Sequence, residues 1–468
     1  MAVQNKIYRA QIETLKGNSW RVDIRPAKLL AGNTTVEMRT NANGFKLSYK
    51  GGGDEFTQPI RGSQVEVVMI IQNKDDEDFI KSIVDSVDQS AVIELSKYDG
   101  SNYVSYWTGY LWNNTFKFSY ASFPYTVSVK ASDSIAMFKN YDGMPNPDGI
   151  IWTYFQYVFC GYWSAGTITD DESILLTPAA MGVDYRLRYA STYSVSTAPT
   201  SNENFWEYMP VNLTGNVGDI LAVHNRTLVI SDWLRLWGFR VFLEDGYYKL
   251  LDIRQQEKGE CTWFNYDSDG ISTDQTYESI TALAGNNNVI MDGAYTFYKS
   301  SARQSVLQYN NTTPNVTAPP NTVTDTRVFS TLGNVRNIEQ SLSDVWCYIM
   351  QIQYPGSSLV NVTNGISVDD GVTYDSVVGH FQNNQEWLYS TAQKYFNGTI
   401  VSKDLNFSKL LIIGNEKFIA NSITLTGSLD EWSGEWLKVG ETTETPLLSQ
   451  NSDAEIDTQT GLTNLKVQ

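Results

Sequence analysis

Histidine, cysteine and charge are all scarce in this sequence, and each shortage removes a class of chemistry. The chain has 468 residues but only two histidines, His224 and His380. A Ser-His-Asp or Cys-His arrangement needs its base within hydrogen-bond reach of the nucleophile, and nothing in the sequence brings either histidine to one. The three cysteines, Cys160, Cys261 and Cys347, form no CxxC pair, zinc spacing or disulfide framework, and read as small core residues. Charged residues make up 18% of the chain, below the roughly 25% that is usual. The 52 Asp and Glu outnumber the 34 Lys and Arg, for a net charge of −18. A nucleic-acid-binding surface needs clustered cations to displace counterions from phosphates, so this balance argues against one. The most apolar runs, Val65 to Ile71 and Ile151 to Trp163, fall short of the roughly 18 residues of a membrane-spanning helix. The first residues lack a charged stretch followed by an apolar one, so synthesis and folding in a cytoplasm are expected. Walker, dinucleotide-binding, His-Glu-x-x-His and Gly-x-Ser-x-Gly motifs are absent. Gly51-Gly52-Gly53 leads into Asp54, which would repel a phosphate, and reads as a strand connection.

What the chain has in quantity is Ser, Thr, Asn, Gly and aromatic residues, the material of sheet surfaces and turns. The fold class this implies is mainly β and multidomain, with β-barrel or sandwich-like domains and a few short helices. Alternation places every second side chain on one sheet face. Tyr8, Ala10 and Ile12, the turn Lys16-Gly17-Asn18, and Trp20, Val22 and Ile24 predict a hairpin. Phe45, Leu47 and Tyr49 predict a strand, and the run Val65 to Ile71 predicts one covered on both faces. Val92 to Leu95 and Tyr103 to Leu111 flank a turn at Asp99-Gly100; Phe116, Phe118 and Tyr120 continue the alternation, as do Tyr125, Val127 and Val129. One helix is predicted over Asp76 to Ser86, where Phe79, Ile80, Ile83, Val84 and Val87 have helical spacing and acids precede them.

Proline and glycine crowd together between Tyr141 and Gly149, which ends an N-terminal β domain at 1–140. In a middle α+β domain, 141–313, a short helix around Ser231 to Trp237, capped by Ser231 or Asp232, leads into a hairpin. Phe239, Val241 and Leu243 form one arm, Tyr248 and Leu250 the other, and Asp245-Gly246 the turn. Gln308 to Thr326, with Pro314, Pro319 and Pro320, reads as a linker. In the C-terminal domain, 327–468, Trp387, Leu388, Thr391, Ala392, Tyr395 and Phe396 share one helical face with Gly398 as its stop, and strands flank Gly414-Asn415. The polar, acidic tail from Glu441 is expected to be exposed or ordered only by a neighbour.

The sequence offers no residues that read as catalytic, cofactor-binding or metal-binding. Asn265, Asp267 and Asp269 before Gly270 have the opening of a calcium loop, but the twelfth position is Thr276 where a bidentate Glu belongs, so the segment reads as a turn. Paired carboxylates with 13 Trp and 28 Tyr would also suit a carbohydrate-active or glycan-binding β-protein such as a tailspike depolymerase. Core and interface packing explains the same aromatics. A long, aromatic-rich β chain without a catalytic constellation fits an assembly component better than an enzyme.

Several stretches go further than composition. Pro59-Ile60-Arg61-Gly62-Ser63, read as a turn, the strand Trp107-Thr108-Gly109-Tyr110-Leu111, and the strand-to-helix step from Pro124-Tyr125 to Ala131-Ser132-Asp133 resemble the N-terminal region of tail hub (baseplate hub) proteins of tailed bacteriophages and prophages. The likeness is to those of Bacteroides-type hosts and crAss-like relatives in particular. Phe242 to Lys249 and Asp430 to Trp436 are similar to the same family's middle and end. The resemblance implies a non-enzymatic virion protein of β-barrel domains, without a cofactor, that forms a trimeric or hexameric homo-oligomeric ring on the tail axis. It implies tail tube proteins and fibre or receptor-binding proteins as partners, and transient passage of viral DNA without specific binding. The appended peptidase or lysozyme-like segment of some hubs is missing here.

Overall fold

Alternating burial governs the strands. The computed structural model describes residues 4–28, 31–51, 58–86, 90–119, 121–133, 135, 186–190, 193–195, 231, 234, 235, 237–266, 272–283, 288–311, 321–329, 336–347, 351–353, 359–361, 366–368, 373–374 and 377–440. In β1 (Lys6–Glu13) and β2 (Ser19–Pro26), Tyr8, Ala10, Ile12, Trp20, Val22 and Ile24 are buried, as a two-residue period requires. The strands pair antiparallel from Tyr8↔Ile24 to Ile12↔Trp20. Gly17 turns the chain between them at φ +82°, a conformation glycine adopts without steric cost. β3 (Thr34–Glu37) runs parallel to β1, and β4 (Arg39–Gly51) pairs with β5 (Arg61–Ile71). In β5, Val65, Val67, Met69 and Ile71 are buried while Val68 and Ile70 are only half-buried. Its apolar run is therefore fully enclosed on one face, not on both.

Helix α1 (Lys74–Val84) buries Phe79, Ile80 and Ile83, and Asn73 caps it by accepting from the Asp76 backbone N–H. Val87 lies outside the described residues. β6 (Ala91–Tyr98), β7 (Tyr103–Leu111) and β8 (Tyr125–Ser132) follow. Phe116 and Phe118 are not in a strand. A 3-10 turn at Asn113–Thr115 ends β7's direction, and both rings pack half-buried against the core. Tyr120 and the boundary at 141–149 lie outside the described residues.

A second sheet runs in the order β10–β11–β9–β12–β13, with β9 at Arg186–Ala190, β10 at Phe239–Glu244, β11 at Tyr247–Asp252, β12 at Glu260–Tyr266 and β13 at Ser272–Ser279. β10 and β11 form the expected hairpin, turning through Asp245 at φ 53° and Gly246 at φ 74°. Ahead of it, Ser231, Leu234, Arg235 and Trp237 are helical, so Ser231 lies inside the expected helix, not at its cap. A helix that periodicity did not reveal, α2 (Ile253–Lys258), follows the hairpin between an Asp252 cap and left-handed Gly259.

Besides short strands at Tyr193–Val195, Gln351–Gln353, Leu359–Asn361, Ile366–Val368 and Thr373–Tyr374 and a 3-10 turn at Gly427–Leu429, the described elements that follow are β14 (Thr281–Leu283), β15 (Asn288–Ile290), β16 (Tyr295–Lys299), β17 (Gln304–Asn311), β18 (Asn321–Val328), β19 (Asn337–Cys347), α3 (Val377–Tyr389), β20 (Gln393–Ser402), β21 (Leu410–Ile413), β22 (Glu416–Thr426) and β23 (Glu431–Val439). Two expectations are corrected. The segment read as a linker contributes the arms of a hairpin, β17 and β18 pairing from Gln304↔Val328 to Asn311↔Asn321, and its three prolines lie outside the described residues. The single helical face proposed for Trp387 to Phe396 belongs to two elements. Trp387 and Leu388 are in α3, whereas Tyr395 and Phe396 are in β20, opposite Leu437 and Trp436 of β23. Gly398 is a strand residue facing Gly434, and a Cβ there would lie 2.7 Å from the Ala294 methyl.

The largest sheet orders its strands β15–β20–β23–β22–β4–β5–β8–β7–β6–β2–β1–β3, with β16 also on β20, and β21 joining β22 to β14. Strands from the first 140 residues and from beyond residue 393 thus share one sheet through the β4–β22 ladder. The sheet curls until Gly44 in β4 meets Ile12 in β1, where a Cβ would lie 2.7 Å from the isoleucine Cδ1. Among the described strands no ladder joins β1 to β4, so the mainly β fold has several sheets and no closed barrel. No described helix is long and apolar enough to cross a membrane.

Candidate functional site

The three N-terminal stretches that carry the family resemblance meet in one buried network. Asp133, fully buried after β8, accepts the Ser63 backbone N–H at 2.6 Å and the Ser63 hydroxyl, while its own N–H donates to the Ser63 carbonyl at 3.1 Å. The Trp107 indole N–H donates to the Ser63 hydroxyl oxygen at 2.7 Å. Ser63 is therefore a β5 residue held from two sides, not part of a turn. Gly109 is explained by the same packing. A Cβ at that position would fall 2.3 Å from the Trp107 ring and 2.4 Å from the Ser132 carbonyl oxygen.

Two buried arginines fasten one irregular point of the large sheet. The β22–β23 register slips between Ala420 and Ser422, and such a bulge turns backbone groups out of the ladder. Arg240 donates to the Ala420 carbonyl at 2.6 Å and Arg61 to the Asn421 carbonyl at 3.1 Å. Burial pulls Arg61 down to about 10. Burial pulls Arg240 well below its ordinary value too, with the neighbouring charge of Arg61 adding to the effect.

A cluster of titratable side chains lies at the β10–β11 turn. The Lys249 ammonium donates to Glu244 at 2.9 Å and to Asp245 at 2.6 Å, and the Lys249 and Glu244 side chains are 0% exposed. Glu244 also accepts the Phe407 backbone N–H at 2.6 Å, and Lys249 reaches the Ser408 hydroxyl at 3.3 Å. Burial opposes the charge on Lys249, but Asp245 and Glu244 outweigh it and raise its pKa above the ordinary lysine range. Burial raises Glu244 despite the ammonium. This arrangement holds the 405–409 segment onto the hairpin; its two adjacent carboxylates are committed to one lysine, not set across a cleft.

Cys261 is a buried free thiol, pushed up by burial, as its core reading requires. Cys160 and His224 lie outside the described residues; Cys347 is in β19 and His380 in α3. The calcium-like letters belong to the β12–β13 hairpin, with residues 267–271 outside the description. Across that hairpin the Asn265 carboxamide donates to Asp274 at 3.1 Å and to Thr276 at 2.7 Å. In the sequence Arg61 and Lys249 stand only within stretches that carry the resemblance, and nothing there assigns them or Arg240 these partners. Arg240 and Lys249 sit within strongly apolar strands, and that interruption was the available signal.

No protein-family model and no curated protein matches the chain. Solved structures do. The 43 kDa tail protein of prophage MuSo2 from Shewanella oneidensis is 12% identical, over 85% of this chain and 93% of that one, at a TM-score of 0.35. The prophage tail protein gp18 from Listeria monocytogenes is 8% identical over 92% and 96%, at 0.37. The tail protein from Neisseria meningitidis MC58 is 9% identical over 84% and 96%, at 0.40. All three neighbours are tail proteins; scores this low carry no assignment of partner or activity.

The surface left open is at sheet edges. Among the described strands β16 is paired with β20 alone and β13 with β12 alone. Tyr295 and Tyr298 on β16 are 56% and 50% exposed, and Tyr277 on β13 is 65% exposed.

Proposed function

We propose that this chain is a non-enzymatic structural subunit of a bacteriophage tail: a tail hub protein that forms a ring on the tail axis. In this reading it joins tail tube proteins to fibre or receptor-binding proteins and lets DNA pass. The observation that carries the reading is the pair of tyrosine-bearing edges open among the described strands, since an edge strand presents unpaired N–H and C=O groups that a neighbouring chain can pair with. The Ser63–Trp107–Asp133 network supports it by making one structural unit of the stretches that resemble the hub family. A net charge of −18 suits a ring through which DNA slides, because like charges do not adhere.

The test is imaging of intact particles carrying a small tag inserted after Leu15, a 77% exposed residue in the β1–β2 turn. The expected label lies on the tail axis, where tube and fibres meet. A label on the capsid, or none on the particle, overturns the proposal. Turnover of a host polysaccharide by the purified chain, abolished by one acidic substitution, would decide for the glycan-active alternative.

A further inference from the structure

We propose that three turns distant in sequence enclose a hydration site, in which an ordered water molecule accepts the Trp20 indole N–H and donates to the Asp430 carboxylate. The inference does not depend on the tail reading.

Short polar side chains bring the three turns together. In the turn between β1 and β2 the Asn18 backbone N–H donates to the Thr14 hydroxyl at 2.8 Å. The Thr14 hydroxyl then donates to Asp430, and the Asn18 carboxamide donates to the same carboxylate at 2.9 Å, across 416 and 412 positions of sequence. Asp430 follows the 3-10 turn Gly427–Leu429 in left-handed backbone at φ 52°, a conformation that aspartate enters more readily than most residues. In the third turn, after β20, the Ser402 hydroxyl accepts the Asp404 and Leu405 backbone N–H groups at 3.1 and 2.9 Å. The Ser402 N–H donates to the Asp430 carbonyl at 2.9 Å, and the Asn18 carboxamide reaches the Lys403 carbonyl at 3.3 Å.

These turns surround a cavity whose space for water is about 30 Å³. One water needs roughly 10–15 Å³, so one or two fit. A sugar ring or a cofactor does not, since ligand pockets run to roughly 300–1,000 Å³. Trp20 and Asp430 both line the cavity and are 2% and 1% exposed. Among the described residues the Trp20 indole N–H has no hydrogen-bond partner. Those of Trp107 and Trp263 donate to Ser63 and Glu278, as buried indoles ordinarily do, because an N–H taken out of water without an acceptor is unfavourable. An ionised carboxylate has about four lone-pair sites, of which Thr14 and Asn18 use two on Asp430. The cavity thus offers a donor and an acceptor to the same guest. Water serves both, whereas a metal ion would meet the indole N–H and the Lys97 ammonium, which lies 5.5 Å from the centre of the Trp20 ring.

Crystallography of the purified full chain, at a resolution that shows ordered water, tests the site. The wild type should show a water roughly 2.7–3.2 Å from both the Trp20 Nε1 and an Asp430 carboxylate oxygen. Trp20→Phe keeps an aromatic ring and removes the N–H, and the density at that position should be lost. A dry cavity in the wild type, a protein acceptor on the Trp20 N–H, or a guest with six or more oxygen neighbours at roughly 2.3–2.6 Å, the mark of a cation, overturns the inference. So does a water whose position is the same in Trp20→Phe. Should that variant fail to fold, the wild-type density decides alone.

Discussion

Replacing Lys249 with methionine gives the sharpest test of how the middle hairpin is held to the C-terminal strands. Methionine keeps an unbranched apolar stem and removes the ammonium that bonds Glu244 at 2.9 Å and Asp245 at 2.6 Å. The fully buried Glu244 carboxylate would then retain the Phe407 N–H but no cation. Breaking one partner out of a buried pair costs about 3–5 kcal/mol, and that is the expected loss in urea unfolding at pH 7. Intrinsic fluorescence follows it, with the Trp263 ring 5.5 Å from the ammonium as a local reporter. The deficit should also depend on pH in a definite sense. Burial already holds Glu244 above its ordinary range, and loss of the ammonium raises it further. A carboxyl that binds its proton more tightly when folded destabilises the fold while ionised, and that penalty fades as pH falls toward the unfolded value of about 4.3. The deficit should therefore shrink from pH 7 to pH 4.5, by at most about 1.4 kcal/mol per pH unit for one group. Adding Glu244→Gln, which still accepts the Phe407 N–H, should restore more than half of the loss. A deficit under about 1 kcal/mol, or one that does not change with pH, would refute the reasoning.

Three further outcomes are expected. Asp133→Ala removes the acceptor of both Ser63 groups and should cost about 3 kcal/mol, because two hydrogen bonds to a buried carboxylate are lost; full stability by urea unfolding would count against the network. Gly434→Ala should cost more than about 2 kcal/mol, since a Cβ would lie 2.1 Å from the Ser422 carbonyl oxygen on backbone at φ +147°; comparison of thermal midpoints measures it. Cys261, buried with its thiol pushed up, should resist an alkylating reagent at pH 8 until the chain unfolds; peptide mapping that finds it modified in the native protein would contradict its placement.

Local pattern was enough wherever one element met one turn. The Tyr8–Ile24 and Phe239–Leu250 hairpins, α1, and the strands around Gly414 follow from alternation, helical spacing and turn residues, and the structure places each accordingly. The failures arise where spacing is ambiguous. Trp387 to Phe396 satisfied a helical period only because the end of α3 and the start of β20 happen to be in phase; cross-strand partners Leu437 and Trp436 decide the matter. Likewise, the linker expected over Gln308 to Thr326 on the strength of its prolines takes in residues of two arms that pair. What periodicity cannot supply is long-range partnership. Arg61 and Arg240 were invisible as structural residues because their acceptors belong to a bulge about 180 to 360 positions away in sequence. The exposed edges are legible only after every strand has been assigned its neighbours.

The β4–β22 ladder also sets an order of events at the ribosome. The Ser48 and Thr424 hydroxyls meet at 2.9 Å across it, although 376 positions separate them. At roughly 5–20 residues per second, β4 emerges about 20–75 s before the strand that covers its flank. During that interval the nascent chain displays Leu47 and Tyr49 on a flank without its neighbour. A product terminated before β22 would keep this border unpaired.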